Sequence, residues 1–143
     1  MAYSVQADVL KLMSKDSLIH LSNDSEYADV IDTDNLTQAI VDADALINDY
    51  LRARYTVALT SVPDTVKKIS IDLAIFNLWS RRPETVMPES VILRKTDALQ
   101  YLKDVQAGKV MLETTERGSD PRYYVPSKVT TDQEFTDAEL DTF

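Results

Sequence analysis

Cysteine is absent from the 143 residues, so disulfides and thiolate metal sites are excluded. There is one histidine, His20, too few for a histidine-based metal cluster. Glycine is nearly missing: Gly108 and Gly118 are the only two, both late in the chain. No Gly-rich phosphate loop can be built from them, and a sheet joined by tight turns is disfavoured. The opening MAYSVQADVLK shows no basic region leading into an apolar core, hence no visible secretory signal. Lys, Asp or Arg interrupts every long apolar stretch, which argues against a membrane span. These absences point to a protein made in, and soluble in, a cytoplasm.

What remains is ordinary in bulk and uneven in charge. Apolar residues make up 44% and charged residues 27%, as in a soluble globular domain. The net charge is −9; residues 113–143 hold eight acids and three bases, so −5 of it falls in that segment. No Lys/Arg stripe of the kind that neutralises phosphates is present, which argues against tight nucleic-acid binding. An acidic surface does suit a protein past which DNA slides without sticking.

Helical periodicity dominates the first two thirds. The densest signal is ADALINDYLRARYTVALTSVPDTVKKISIDLAIFNLW, residues 43–79. One long helix is expected at about 35–55, opened by an Asn35/Gln38 capping box. Its stripe comprises residues 36, 40, 43, 47, 50 and 51, widened by Ala39, Leu46 and Ala53. A second is expected at about 63–81, with Pro63 in its first turn and Arg81, Arg82 and Pro83 at its end. It is apolar almost all round, which marks a central helix. A third, at about 88–106, packs through Val91, Ile92, Ala98, Leu99, Leu102 and Val105 and stops at Gly108. Ahead of these come a helix at about 5–13, N-capped by Ser4 with Val9, Leu10 and Met13 on one side, and a short turn of helix near 16–21.

The fold class is therefore all-α: a small bundle of three long helices plus short N-terminal helices, with an extended C-terminal tail. Residues 1–112 form the core and 113–143 the acidic tail. That tail has no helical period and cannot bury enough surface to offset its ordering entropy alone. Within it Tyr123, Tyr124 and Val125 make a compact apolar anchor, a combination suited to ordering on a partner.

Candidate chemistry is thin. His20 reads as structural or incidental. Asp24, Glu26, Asp29, Asp32 and Asp34 crowd a loop at 23–34 without a base. Their carboxylates could bind a cation, but the glycine and alternate spacing of a calcium loop are missing, so a solvated loop is the stronger reading. Asp42, Asp49 and Asp72 lie in helices with no sign of convergence on a pocket. Arg54 and Asp72 fall near the crossing of the two long helices; they form an internal ion pair fixing register or, as a second reading, a partner contact. Lys67, Lys68, Arg81, Arg82, Arg94 and Lys95 read as scattered surface charge rather than a DNA-binding face, and Trp79 as core. No catalytic, cofactor or metal site is expected, and the chain reads as a non-enzyme.

The order of these elements resembles a known family. Tyr3, Ser4, Asp8 and Leu10 are followed by an acidic loop, then by Ala43, Ile47, Tyr50, Leu51, Arg54 and Tyr55. After a proline-containing turn come Pro63, Ile69, Asp72, Ala74 and Leu78, and then Ala98, Leu99, Leu102 and Gly108. Over about residues 3–110 this pattern is similar to the phage Mu gp36-like proteins, a group of head–tail connectors, or adaptors. Ala58 departs from it, since the family commonly places a proline there. The tail after Gly108 aligns with nothing.

The resemblance implies a structural virion protein at the head–tail junction of a tailed phage, made in the host bacterial cytoplasm. It implies a homo-oligomeric ring, of twelve copies, beneath the portal protein. Such a ring binds the portal on one side and offers a platform for a stopper or tail protein on the other, with genomic DNA passing through the lumen and no membrane involved. On that view Tyr50, Leu51, Arg54, Tyr55 and Asp72 are structural family positions. Tyr123, Tyr124 and Val125 bind a partner, and Asp24, Glu26, Asp29 and Asp32 form an acidic loop facing the lumen. Other classes stay open: a stopper or tail-completion protein, or a helical DNA-packaging or regulatory protein.

Overall fold

The structure, a computed structural model, describes residues 2–114. Helices are the only regular elements among them: α1 (Gln6–Leu12), α2 (Lys15–Ser22), α3 (Thr33–Leu51), α4 (Asp64–Ser80) and α5 (Glu89–Gln106). None is long and apolar enough to cross a membrane. The anchor residues Tyr123, Tyr124 and Val125 lie outside the described residues, as does nearly all of the expected tail.

α4 is the hub, as its apolar circumference requires. Val66, Ile69, Ile71, Leu73, Ala74, Ile75 and Leu78 are all buried, on more than one side of the helix. α3 packs along one flank and α5 along another, while α1 and α2 close over the remainder. α3 contributes Leu36, Ala39, Ile40, Ala43, Ile47 and Leu51, at the spacing of one helical stripe. α5 contributes Val91, Ala98, Leu102 and Val105.

Several expected boundaries move, each for a local reason. α3 starts earlier because Asp32, not Asn35, caps it: its carboxylate accepts from the Asp34 and Asn35 amides at 3.0 and 3.1 Å. Asn35 instead ties the loop, donating to the Ser22 carbonyl at 2.9 Å, and Gln38 donates to Asp42. α1 is capped at Val5, whose amide is taken by Asp8; Ser4 is drawn into the interior. α3 also ends at Leu51, not residue 55, and the chain turns through 52–54 so that Tyr55 enters the core. Leu46 and Ile92, expected to pack, face solvent, because the apolar stripes of α3 and α5 are narrower than a hydrophobicity count implies, and Ala53 is exposed because it falls in the turn after α3. Leu10 is likewise exposed on α1.

The end of α5 is a Schellman motif. The Gly108 amide reaches the Val105 carbonyl at 3.0 Å and the Lys109 amide reaches Asp104 at 2.9 Å. This geometry needs a left-handed residue, and Gly108 has φ of +78°. A side chain there would also meet the Arg54 guanidinium. The chain then folds back until the buried Leu112 donates its amide to the Tyr55 hydroxyl at 2.9 Å, joining the far ends of α3 and α5. We predict that Gly108→Ala costs about 1–2 kcal/mol, the penalty of a left-handed backbone. Urea unfolding checks it, and Arg54→Ala in the same chain should leave most of that loss in place, because the strain is in the backbone.

Candidate functional site

Three polar arrangements interrupt the apolar packing. The first joins the N-terminal segment to the crossing of α3 and α4. Asp44 sits on the buried stripe of α3, and Ser70 faces it from α4, its hydroxyl donating to Asp44 Oδ1 at 2.6 Å. The Tyr3 amide donates to Asp44 Oδ2 at 2.8 Å, and the Ser4 and Ser70 hydroxyls share a 2.7 Å bond. The Tyr3 hydroxyl donates to Asn48 and accepts the Leu59 amide at 3.2 Å. Burial pushes the Asp44 carboxyl up, against the pull of Ser70 and the Tyr3 amide. It raises the Tyr3 phenol as well, with the Leu59 amide opposing and Asp44 reinforcing. Beside this clasp, Asp8 binds Lys11 and Lys67, each at 3.1 Å.

The second arrangement pins the acidic loop. Arg81 at the end of α4 donates to the Leu21 and Ser22 carbonyls at 3.0 and 2.9 Å and pairs with Asp24 at 2.9 Å. Arg82 donates to the Asn23 carbonyl, and the Asn23 side chain crosses the loop to the Val30 carbonyl at 2.6 Å. Asp32, as the cap of α3, is committed to the fold. Glu26 and Asp29 stay exposed, around an open depression shared with Asp16 and the exposed His20. Among the described residues no His, Cys, Asp or Glu group is arranged to hold a metal ion.

The third lies between α4 and α5. The expected Arg54–Asp72 pair is not formed here: Asp72 faces Arg94 of α5 at 3.7 Å, while the Arg54 guanidinium lies beside Gly108, just past the end of α5. Helix periodicity places Asp72 toward α5, whereas Arg54 sits beyond the end of α3. Asp72 Oδ1 is buried without a hydrogen bond, and so is Trp79 Nε1 two turns further along α4. Trp79 is half-buried rather than fully core.

Of the residues marked in the sequence, Leu51 and Tyr55 are core, Tyr50 is half-buried, and Asp42 and Asp49 face solvent. The basic doublets are dispersed on the protein's own groups: Lys67 on Asp8, Arg81 and Arg82 on the loop, Arg94 on Asp72, Lys95 over the Phe76 ring at 4.1 Å. The sequence reading missed Asp44 and Ser70. The signal was there: Asp44 is in phase with Ile40, Ile47 and Leu51, and Ser70 sits inside the most apolar helix.

Asp72 and Asp8 titrate in opposite senses. Burial holds the Asp72 carboxyl above its ordinary value despite Arg94 and Lys68. At Asp8 burial also pushes upward, but the bonds from Lys11, Lys67 and the Val5 amide outweigh it and leave the carboxyl low. A raised carboxyl contributes stability that is full below the unfolded value and is lost as pH rises through the folded one. A lowered carboxyl contributes above the unfolded value and loses that contribution as pH falls through the folded one. Asp72→Asn should therefore gain stability relative to the parent as pH rises from about 4 to 7. Asp8→Asn should be weaker by about 1–3 kcal/mol at neutral pH, with the deficit closing below about pH 4. Urea titrations across that range read both slopes.

A 72-residue alignment with "Gene product J" of Escherichia phage Mu shows 35% identity and covers 50% of this chain and 48% of the relative. The chain thus matches about half the length of that protein. The sequence model described as "Bacteriophage Mu, Gp36" matches residues 3–129, which takes in the whole helical bundle and extends past Gly108 into the segment expected to align with nothing. With that match over most of its length, the chain belongs to the bacteriophage Mu Gp36 family of phage proteins.

Proposed function

We propose that the protein is a head–tail connector: a non-enzymatic virion subunit that forms a ring, of twelve copies, beneath the portal of a tailed phage. The observation that carries this reading is the family match over residues 3–129, in register with the helical bundle and continuing into the acidic C-terminal segment. The ring holds the portal on one side and a stopper or tail protein on the other, and DNA passes through its lumen. A net charge of −9, with Lys67, Arg81, Arg82, Arg94 and Lys95 engaged by the chain's own groups, supports passage of DNA without tight binding.

Residues 113–143, led by Tyr123 and Tyr124, reach the portal or an adjacent subunit. The loop at 23–34 faces the DNA path through Asp24, Glu26 and Asp29. Its anchorage by Arg81 and Arg82 supports a fixed acidic edge rather than a loose one.

Electron microscopy of the full chain mixed with its portal should show added ring density on the portal, and deletion of 113–143 should abolish that binding. Unchanged portal binding and ring formation by the deleted chain would sink the assignment of the tail. In the same maps the loop at 23–34 should line the channel; finding it on the outer rim would refute its role at the DNA path.

A further inference from the structure

Both ends of the described chain are fastened to one connection. The Tyr3 hydroxyl donates to Asn48, in the last turn of α3, and accepts the Leu59 amide at 3.2 Å beyond the turn that follows. One buried phenol thus closes residues 48–59 into a loop at its base. Within that loop the Leu51 carbonyl takes the Arg54 and Tyr55 amides at 2.9 and 2.8 Å, which turns the Tyr55 ring into the core. Leu59 is buried as well, and only residues 56–58 separate the two. Fixing Leu59 therefore restricts the conformations open to Tyr55, as closure does in any short loop.

The segment after α5 hangs on the same loop. The Arg54 guanidinium lies beside Gly108, and the Leu112 amide donates to the Tyr55 hydroxyl at 2.9 Å. The Lys109 and Val110 amides turn back to the Asp104 carbonyl, and the Thr114 amide to the Leu112 carbonyl. Among the described residues, Leu112 thus makes the one hydrogen bond from 111–114 to a distant part of the chain. Past Thr114 the sequence runs on into the acidic segment. Two tyrosine hydroxyls stand in series: that of Tyr3 closes the loop, and that of Tyr55, inside the loop, holds the root of the tail.

Hydrogen bonds in series restrain one another's partners, so losing the first is felt at the second. Without the Tyr3 hydroxyl the base of the loop opens, and residues 52–58 regain conformations in which Tyr55 no longer meets Leu112. We infer that Tyr3 is a latch for the tail: by closing the 48–59 loop it holds Arg54 and Tyr55 against residues 108–112, and so the N-terminal segment governs where residues 113–143 leave the bundle. The coupling is reciprocal, so a partner that fixes the root of the tail also favours the seated N-terminus. Its use in assembly rests on the engagement of 113–143 proposed above; the latch within the free chain does not.

Hydrogen exchange on the full-length chain tests the latch. Tyr3→Phe keeps the ring and removes the hydroxyl. It should speed exchange of the Leu112 amide by about 2- to 10-fold more than that of the Leu73 and Ala74 amides in the middle of α4, the range expected for one net hydrogen bond. Equal acceleration at all three would mean a general loss of stability and would overturn the latch. Tyr55→Phe removes the acceptor itself, and in that background Tyr3→Phe should add nothing at Leu112. The same factor in both backgrounds would refute a path through Tyr55. The chain bound to its portal gives a second reading, in which exchange should slow at both the Leu112 and the Tyr3 amides. Slowing at Leu112 alone would overturn the coupling. No change at either would count against the tail's engagement with the portal, a failure of that reading and not of the latch, which the free chain decides.

Discussion

A carboxylate on the apolar stripe of a helix has to find its hydrogen bonds inside the protein, and Asp44 is held to that requirement. Its two oxygens are taken by Ser70 of α4 and by the amide of Tyr3, so one side chain fixes the register of α3 on α4 and seats the N-terminal segment over both. Removing any one partner would strand a buried polar group, at about 1–3 kcal/mol. An apolar pair of the same shape would not position the N-terminus, since hydrophobic contact is non-directional. Tyr3 extends the constraint through its hydroxyl to Asn48 and to the Leu59 amide in the turn between the two long helices. The clasp therefore governs the entry of α1, the crossing of α3 and α4, and the path of their connection.

α4 supplies the complementary constraint. Because it is buried on several sides, every other element must take its place around it, and the charged ends of that helix become the places where loops are fastened. Arg81 and Arg82 follow its last turn and bind backbone carbonyls of residues 21–23. An arginine suits this because its planar, forked donors can serve two carbonyls and a carboxylate at once. The acidic loop owes its fixed conformation to these arginines at the end of α4 together with its own Asn23, which reaches across it to the Val30 carbonyl.

The helices and the central role of α4 were legible because periodicity and burial are local properties of a sequence. Their ends were less so. Asn35 and Asp32 are both able caps, and the choice between them depends on the contacts of the preceding loop, where Ser22 accepts the Asp32 amide and the Ser22 carbonyl accepts from Asn35. Ser4 looks like a cap until the buried Ser70 is placed opposite it. Charge pairing was the least legible. Arg54 and Asp72 are close along the chain's hairpin, but the helix that faces Asp72 is α5, and only the packing of the third helix reveals Arg94. Asp44 could have been found from its phase alone, by asking why an acid sits between Ile40 and Ile47.

The interior and the edges of this bundle obey different rules. At the N-terminal clasp nearly every buried polar atom is answered within the chain, as a stable core demands. Along α4 and α5 the Asp72 and Trp79 atoms are not, although Arg94 and Lys68 stand close enough to moderate the carboxylate's charge. A fold that satisfies Asp44 so fully had the means to satisfy Asp72, or to replace it with an apolar residue at little cost. The contrast separates two kinds of buried acid on neighbouring helices. Asp44 is a fastening of the monomer, complete in itself. Asp72 keeps only the charge of Arg94 at 3.7 Å and no hydrogen bond at Oδ1, so its burial is offset in part and it fixes α5 on α4 less firmly than Asp44 fixes α3.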